Sequence, residues 1–287
     1  MPVDPLITIV TPCLNAAQFI RHTIDSVLSQ DFESLEYLIL DGGSSDGTQD
    51  IARDYGDRVV VVSEPDNGTS SAINRGFRRA RGSVVAWLNA DDTYLPGAIS
   101  SAMRAFQSDP SAAAVYGNAY WTDEGGQILR PYPVHASAPE LLHKECLICQ
   151  PACFMRTAAV REVGYLDEQL RYSFDYELWM RLRKKGPFLF VPEFWATSRM
   201  HSSNKTLGQR AGVLQESIAV LTRHFEYVPA TWIYGYESYL RNGLGQFYEP
   251  PSTSYSAYWK ALSTGWKINR RHPWRYASEW AVMFTRI

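Results

Sequence analysis

Up to Asp92 the chain repeats one pattern: a short aliphatic or β-branched run, a polar cluster, then a segment with helical spacing. Residues 6–11, 35–40, 59–63 and 84–88 are strand-sized runs. Ile20, Ile24, Val27 and Leu28 recur at the spacing of a helix that covers a sheet. Helices over 48–55 and 70–81 continue the alternation, with Gly82 expected to cap the second of them. This order predicts βαβ units around a mainly parallel sheet. The run at 84–88 is apolar throughout and is expected to be a central strand with both faces covered. In open sheets of this kind ligands gather beyond the carboxyl ends of the strands. The polar clusters fall there: Asn15 after the first run, 41–47 after the second, 64–68 after the third and Asp91-Asp92 after the fourth.

A length of 287 residues suffices for one substantial α/β core with a small extension. The net charge of −2 gives no general attraction to nucleic acid, and no such partner is expected. Asp4 lies between Pro2 and Pro5, where a secretory signal would place positive charge and an apolar stretch. No apolar run approaches the roughly 20 residues of a membrane-spanning helix. Cys13, Cys146, Cys149 and Cys153 are too few for a disulfide scaffold in a chain this long. Together these features predict a cytoplasmic protein, with any membrane contact peripheral and at the inner face. Cys146, Cys149 and Cys153 lack a fourth ligand at zinc-like spacing, so buried reduced thiols are expected.

Gly42 and Gly47 have the spacing of a phosphate-binding loop, but Thr48 and Gln49 stand where Lys and Ser/Thr are needed. The dinucleotide G-x-G-x-x-G pattern is also absent. Asp41, at a strand end, could accept hydrogen bonds from a base or ribose; a plain turn into a capped helix is the alternative. Asp91 and Asp92 set two carboxylates side by side, an arrangement that calls for a cation or for hydrogen bonds. Mg²⁺ or Mn²⁺ bridging carboxylate and diphosphate oxygens would meet that need, and a solvated turn before Pro96-Gly97 is the alternative.

Thr11-Pro12-Cys13-Leu14-Asn15, the segment 40–48, Asp66-Asn67-Gly68, Asn74-Arg75-Gly76 and Leu88-Asn89-Ala90-Asp91-Asp92 follow one another in the order and spacing of family-2 glycosyltransferases, and the chain resembles that family from about 6 to 205. The resemblance implies a GT-A-type α/β fold and an inverting transfer of a hexose or N-acetylhexosamine from a nucleotide diphosphate sugar, a UDP-sugar by family habit. The acceptor it implies is a glycan or lipid-linked saccharide. Pro12 and Asn15 match the first nucleotide-contacting loop, Asp41 the acid that holds the base, and Asp66, Asn67, Gly68 and Asn74 the segment closing over the nucleotide. Asn89-Ala90-Asp91 occupies the D-x-D position with Asn in place of the first acid. Asp91 is therefore the expected ligand for Mn²⁺ or Mg²⁺, with Asp92 as an auxiliary, sugar-side acid.

Phe174-Asp175-Tyr176-Glu177 opens a helical segment and resembles the family's acceptor-side acidic motif, in which Asp175 matches the catalytic base. An inverting transfer needs one such carboxylate at the acceptor hydroxyl. A helix cap is the alternative for Asp175. Glu177 is grouped with the acceptor side, although a first-turn acid favoured by the helix dipole is its simpler role. His201 matches a late histidine that can bind the metal, and Lys205 could meet phosphate. Gln150 and Trp121, with Tyr120, are candidates for the acceptor side, where rings stack on sugars; core packing is the alternative.

From about Phe225 the composition turns aromatic and basic. Tyr255, Tyr258, Trp259, Leu262 and Trp266 form one helical stripe, and Tyr276, Trp280, Phe284 and Ile287 another. A catalytic domain over 1–225 and a helical extension over 226–287 are expected, the stripes serving packing or a homodimer ahead of a membrane surface. Two other functions compete. A catalytically inactive nucleotide-sugar-binding module would need no base at Asp175. A nucleotidyltransferase would carry a glycine- and Arg/Lys-rich loop where Pro12-Cys13-Leu14-Asn15 stands.

Overall fold

A computed structural model of the protein describes residues 7–202, 204–243 and 254–284; Leu6 and Ile287 lie outside them. The chain divides into two compact units, Met1–Glu140 with Cys146–Arg199, and Leu141–Glu145 with Met200–Ile287. The second unit therefore begins before the helix that ends at Phe225.

In the first unit β1 (Ile7–Cys13), β2 (Leu35–Asp41), β3 (Val60–Ser63) and β4 (Val84–Trp87) run parallel in the order β3-β2-β1-β4. Helices α1 (Ile20–Leu28), α2 (Thr48–Arg53) and α3 (Thr69–Arg79) connect them. The register aligns the strand ends: Cys13 lies opposite Asp41, and Asp41 opposite Ser63. β5 (Thr93–Tyr94), α4 (Ala98–Ser108), β6 (Ala114–Thr122) and β7 (Ile128–Pro131) follow. Next come α5 (Ala138–Leu141), β8 (Cys153–Arg156), α6 (Thr157–Glu162), α7 (Phe174–Leu182) and β9 (Phe188–Arg199). Beyond β4 the sheet continues through β8, β6, β9 and β5, and becomes mixed, because β8 is antiparallel to both β4 and β6.

β4 is central, as its unbroken apolar run predicts, and all four of its residues are fully buried. Trp87 stacks on Trp179 of α7 at 5.8 Å and meets the edge of Phe77 of α3 at 5.9 Å. The predicted helix before it ends two residues early, at Arg79, and Gly82 does not cap it. Gly82 is needed for close approach instead: a Cβ there would lie 2.6 Å from the carbonyl carbon of Ile7.

The second unit is helical: α8 (Lys205–Gly208), α9 (Arg210–Phe225), α10 (Ala230–Asn242), α11 (Tyr255–Ile268) and α12 (Pro273–Phe284). The aromatic stripe foreseen on α11 is divided, with Tyr258 on the packing face and most of its other rings outside. Ala257, Tyr258, Ala261 and Gly265 are buried, whereas Tyr255, Trp259 and Trp266 are exposed. The fully buried Tyr276 of α12 fits over Gly265 and donates to the Ala261 carbonyl at 2.7 Å. The small residues make room for a neighbouring ring, and Tyr255, Trp259 and Trp266 are left outside.

Candidate active site

The rim at the carboxyl ends of β1 to β4 is laced together by side chains the sequence placed there. Because the register sets Cys13 and Ser63 on either side of Asp41, both reach it: Ser63 Oγ donates at 2.6 Å and Cys13 Sγ lies 3.8 Å away. The Asp41 carboxylate also accepts from the Ser44 hydroxyl at 2.5 Å and from the N–H groups of Gly43 and Ser44. It is fully buried. Burial alone would raise its pKa, but the bonds from Ser44 and Ser63 outweigh burial and hold it below the usual carboxylate value. Burial, then the adjacent Asp41, pushes the Cys13 thiol up, as suits an inert structural cysteine.

The loop after β1 docks on the loop after β2. Asn15 takes the left-handed conformation at φ 51°, which Asn tolerates better than most residues. Its N–H donates to Ser44 Oγ at 2.8 Å and its side-chain oxygen accepts from Ser45 N at 3.0 Å. Ala16 N and Ala17 N donate to Thr48 and Asp46. Pro12 is buried beneath this junction. Asp66, after β3, reaches the same place: a Cβ on Gly42 would lie 2.7 Å from its Oδ2, so glycine at 42 leaves room for that carboxylate. Asp66 Oδ1 accepts from Gly68 N at 2.8 Å, and Asn67 is exposed beside it. Asn74, expected at the nucleotide, is buried elsewhere. Its amide donates to Leu166 O and Glu168 Oε1 and accepts from Leu166 N, so it pins the 166–168 segment onto α3.

After β4 the acid pair divides. Asp91 is half-buried, whereas Asp92 is 4% exposed. Asp92 Oδ1 accepts from Arg199 N at 2.9 Å and Oδ2 from Asn89 Nδ2 at 3.1 Å. Burial first, then Asp91, pushes Asp92 well above the usual carboxylate range. Both oxygens of Asp92, expected on the sugar side, thus accept from groups within the fold. Asn89 also donates to Gln150 Oε1, and Gln150 donates to the Trp87 carbonyl at 2.8 Å. Thr23 of α1 donates to the carbonyls of Ala90 and Asp92.

Arg199 completes the frame and escaped the sequence reading. Its Nε donates to Asp91 O at 2.8 Å and its guanidinium to Glu124 O at 2.7 Å. The only sequence signal was its place two residues before His201. Pairing of Thr93 with Thr197 brings that strand end beside the acids.

On α7, Ser173 is the residue before the helix, so Asp175 sits in the first turn rather than at the cap. Asp175 is half-buried and accepts from Tyr176 N at 2.7 Å. Burial pushes the Cys149 thiol up, and the charges of Asp92 and Asp175 add to it. Glu177 is not on the acceptor side: it is 3% exposed and held by Arg181 through bonds of 2.8 Å. Trp121 is 2% exposed and packs on Tyr132 at 4.9 Å, so burial closes its ring to a sugar. Tyr120 stacks on Phe194 at 4.0 Å. All four cysteines are free thiols. His201 belongs to the second unit.

Among the described residues no three His, Cys, Asp or Glu side chains cluster to hold a metal by themselves. The half-buried Asp91 carboxylate nevertheless suits a hard divalent ion that keeps waters and takes its remaining oxygens from a diphosphate.

The fold is a GT-A-type α/β architecture with this rim at the strand ends. The structure resembles S. aureus TarS 1–349 in complex with UDP-GlcNAc, with a TM-score of 0.63 and 13% identity, covering 91% of this chain and 81% of that one. It also resembles the mannosyltransferase PcManGT from Pyrobaculum calidifontis in complex with GDP-Man and Mn²⁺, with a TM-score of 0.61, 17% identity and coverage of 77% and 65%. Residues 8–164 match the model of glycosyl transferase family 2, and the chain belongs to that family. A glycosyltransferase of Rickettsia prowazekii (strain Madrid E) is 29% identical over 213 residues, 71% of this chain and 66% of that protein. The chondroitin synthase of Escherichia coli is 27% identical over 239 residues, 79% of this chain but 35% of the synthase. The chain thus spans about two thirds of the first relative and about a third of the second.

Proposed function

We propose that this chain moves a sugar from a nucleotide diphosphate sugar, a UDP-sugar, to a glycan or lipid-linked acceptor, with inversion and in one displacement. The observation that carries the reading is the rim itself, where the ends of β1, β2 and β3 are bonded together at Asp41 and the turn after β4 presents a half-buried Asp91 whose main chain Arg199 holds. The loops bearing Pro12, Asn15, Asn67 and Gly68 bind the nucleotide. Asp41 shapes this cradle from beneath, since its oxygens already accept from Ser44, Ser63 and Gly43. Asp66, filling the space over Gly42, makes the base contact.

Asp91 would hold Mn²⁺ or Mg²⁺ at the donor's diphosphate. The bound ion would offset the charge that grows on the departing group. Asp175 takes the proton from the acceptor hydroxyl as its oxygen attacks the anomeric carbon and the bond to the diphosphate breaks. Asn89 and Gln150 keep the end of β4 in place. The four free thiols support a cytoplasmic setting.

The test is nucleoside diphosphate release from a panel of UDP-, GDP- and dTDP-sugars with Mn²⁺ and an acceptor library. Release that EDTA abolishes, with NMR showing an inverted anomeric centre, is the expected result. Donor binding without turnover, unchanged by Asp175→Asn, would make the chain a nucleotide-sugar-binding module instead.

A further inference from the structure

In the second unit three tryptophans face outward. Trp259 and Trp266 of α11 are 62% and 40% exposed, and Trp274 of α12 is 77% exposed. They form one surface. Residues 259 and 266 lie seven apart, two helical turns, on the same side of α11, and Trp274 meets Trp266 edge to face at 5.2 Å. Lys260 and Lys267 share the same seven-residue spacing one position on, so a row of exposed ammonium groups flanks the row of rings. Arg270 extends that row past the helix end, its Nε donating to the Lys267 carbonyl.

Residues 254–284 carry five Lys and Arg residues and a single carboxylate, Glu279. That carboxylate is turned inward, accepting from the Tyr227 hydroxyl and from Ala230 N. The outward field of this helix pair is therefore positive. Among the described residues no helix is long and apolar enough to cross a membrane. Tryptophan rings beside long cationic stems suit the boundary between lipid headgroups and acyl chains, where the rings enter and the ammonium groups stay among the phosphates.

We infer that the outer face of α11 and α12, through Trp259, Trp266 and Trp274 with Lys260, Lys267 and Arg270, docks the protein on an anionic phospholipid surface. A second copy of the chain fits this face less well. A two-fold contact through the same surface would set the lysine rows against each other, and like charges across an interface oppose association. The inference does not depend on the donor or acceptor, because no substrate takes part.

Cosedimentation of the full chain with vesicles, without substrate and at low salt, tests it. Binding to phosphatidylcholine mixed with phosphatidylglycerol is expected, together with a blue shift of tryptophan emission and weakening as salt rises. Vesicles of phosphatidylcholine alone should bind far less. Lys260→Gln with Lys267→Gln should lower the partition coefficient roughly 30-fold, about fivefold for each lysine near the surface. Trp259→Ser with Trp274→Ser should weaken binding to the anionic vesicles and reduce the blue shift while circular dichroism stays unchanged, since both rings are exposed. Equal partition onto neutral and anionic vesicles, or none onto either, would overturn the inference. So would a concentration-dependent dimer in sedimentation velocity that the tryptophan variant dissociates, which would assign the face to a second copy.

Discussion

The two units treat polar groups in opposite ways. In the first, carboxylates collect at the strand ends, where loop N–H groups and hydroxyls satisfy them; Asp41 alone accepts from Ser44, Ser63 and Gly43. In the second, amide and carboxylate groups such as Asn269 and Glu237 turn inward and pin segments together. Asn269 exchanges two hydrogen bonds with the backbone of Val228, and Glu237 accepts from Thr264. The reason is where each architecture leaves backbone donors unpaired. A parallel sheet frees them at one edge, where acids can be stabilised and presented to a ligand. Helices satisfy their own backbone except at their ends. Inward polar groups there serve packing, and the outer face is free to carry tryptophans.

If chemistry is confined to the rim of the first unit, Asp91→Ala has the largest effect. It should reduce turnover by about 10³-fold or more, the scale of losing a metal's charge stabilisation, while the melting temperature barely moves. Normal activity in that variant would break the comparison at once. Next, Asp175→Asn should lower kcat by roughly 10²- to 10⁴-fold with little change in the KM for donor, as expected for loss of a general base. A loss confined to donor KM would reassign Asp175 to binding.

For the second unit the expected effects are on stability. A Cβ on Gly265 would fall 1.9 Å from Cζ of the buried Tyr276, so Gly265→Ala should cost about 1–3 kcal/mol in denaturant unfolding. UDP affinity, measured by calorimetry, should be unchanged. Asn74→Ala sharpens the comparison from within the first unit. Loss of its bonds to Leu166 and Glu168 should cost about 1–3 kcal/mol and leave UDP affinity unaltered. A fall in affinity with full stability would return Asn74 to the nucleotide site.

The smallest effect concerns pH. Asp41 has a folded pKa below its ordinary value of 3.8, so its stabilisation is complete above that value and fades as pH falls through the lower folded one. Asp41→Asn should therefore flatten the acid limb of a pH–stability curve and leave its neutral region parallel to wild type.

Much of the first unit was legible in the sequence. Strand runs, helical spacing and the polar ends of the runs are local patterns, and they located β1 to β4 and the loops that meet at the rim. Within that rim, individual roles were less legible. Asp91 and Asp92 are neighbours in sequence, yet one is half-buried and the other enclosed by Arg199 and Asn89. Asn74, Glu177 and Trp121 carry suitable chemistry but point into packing, toward partners far away in sequence or, for Glu177, toward Arg181 one turn along the buried face of α7. For α11 the periodic aromatic stripe was real, but periodicity shows that residues share a face without showing which face is covered.

The sequence by itself determined the alternation of strands and helices, the acids at the strand ends and the membership of a family whose motifs are short and contiguous. Only the tertiary structure decided which of those acids is enclosed, that Arg199 holds the Asp91 turn, and that Trp259, Trp266 and Trp274 face outward. Those outcomes depend on register and on packing between distant segments. The row of Cys13, Asp41 and Ser63 exists because three strands align, and Gly265 matters because Tyr276 lies over it.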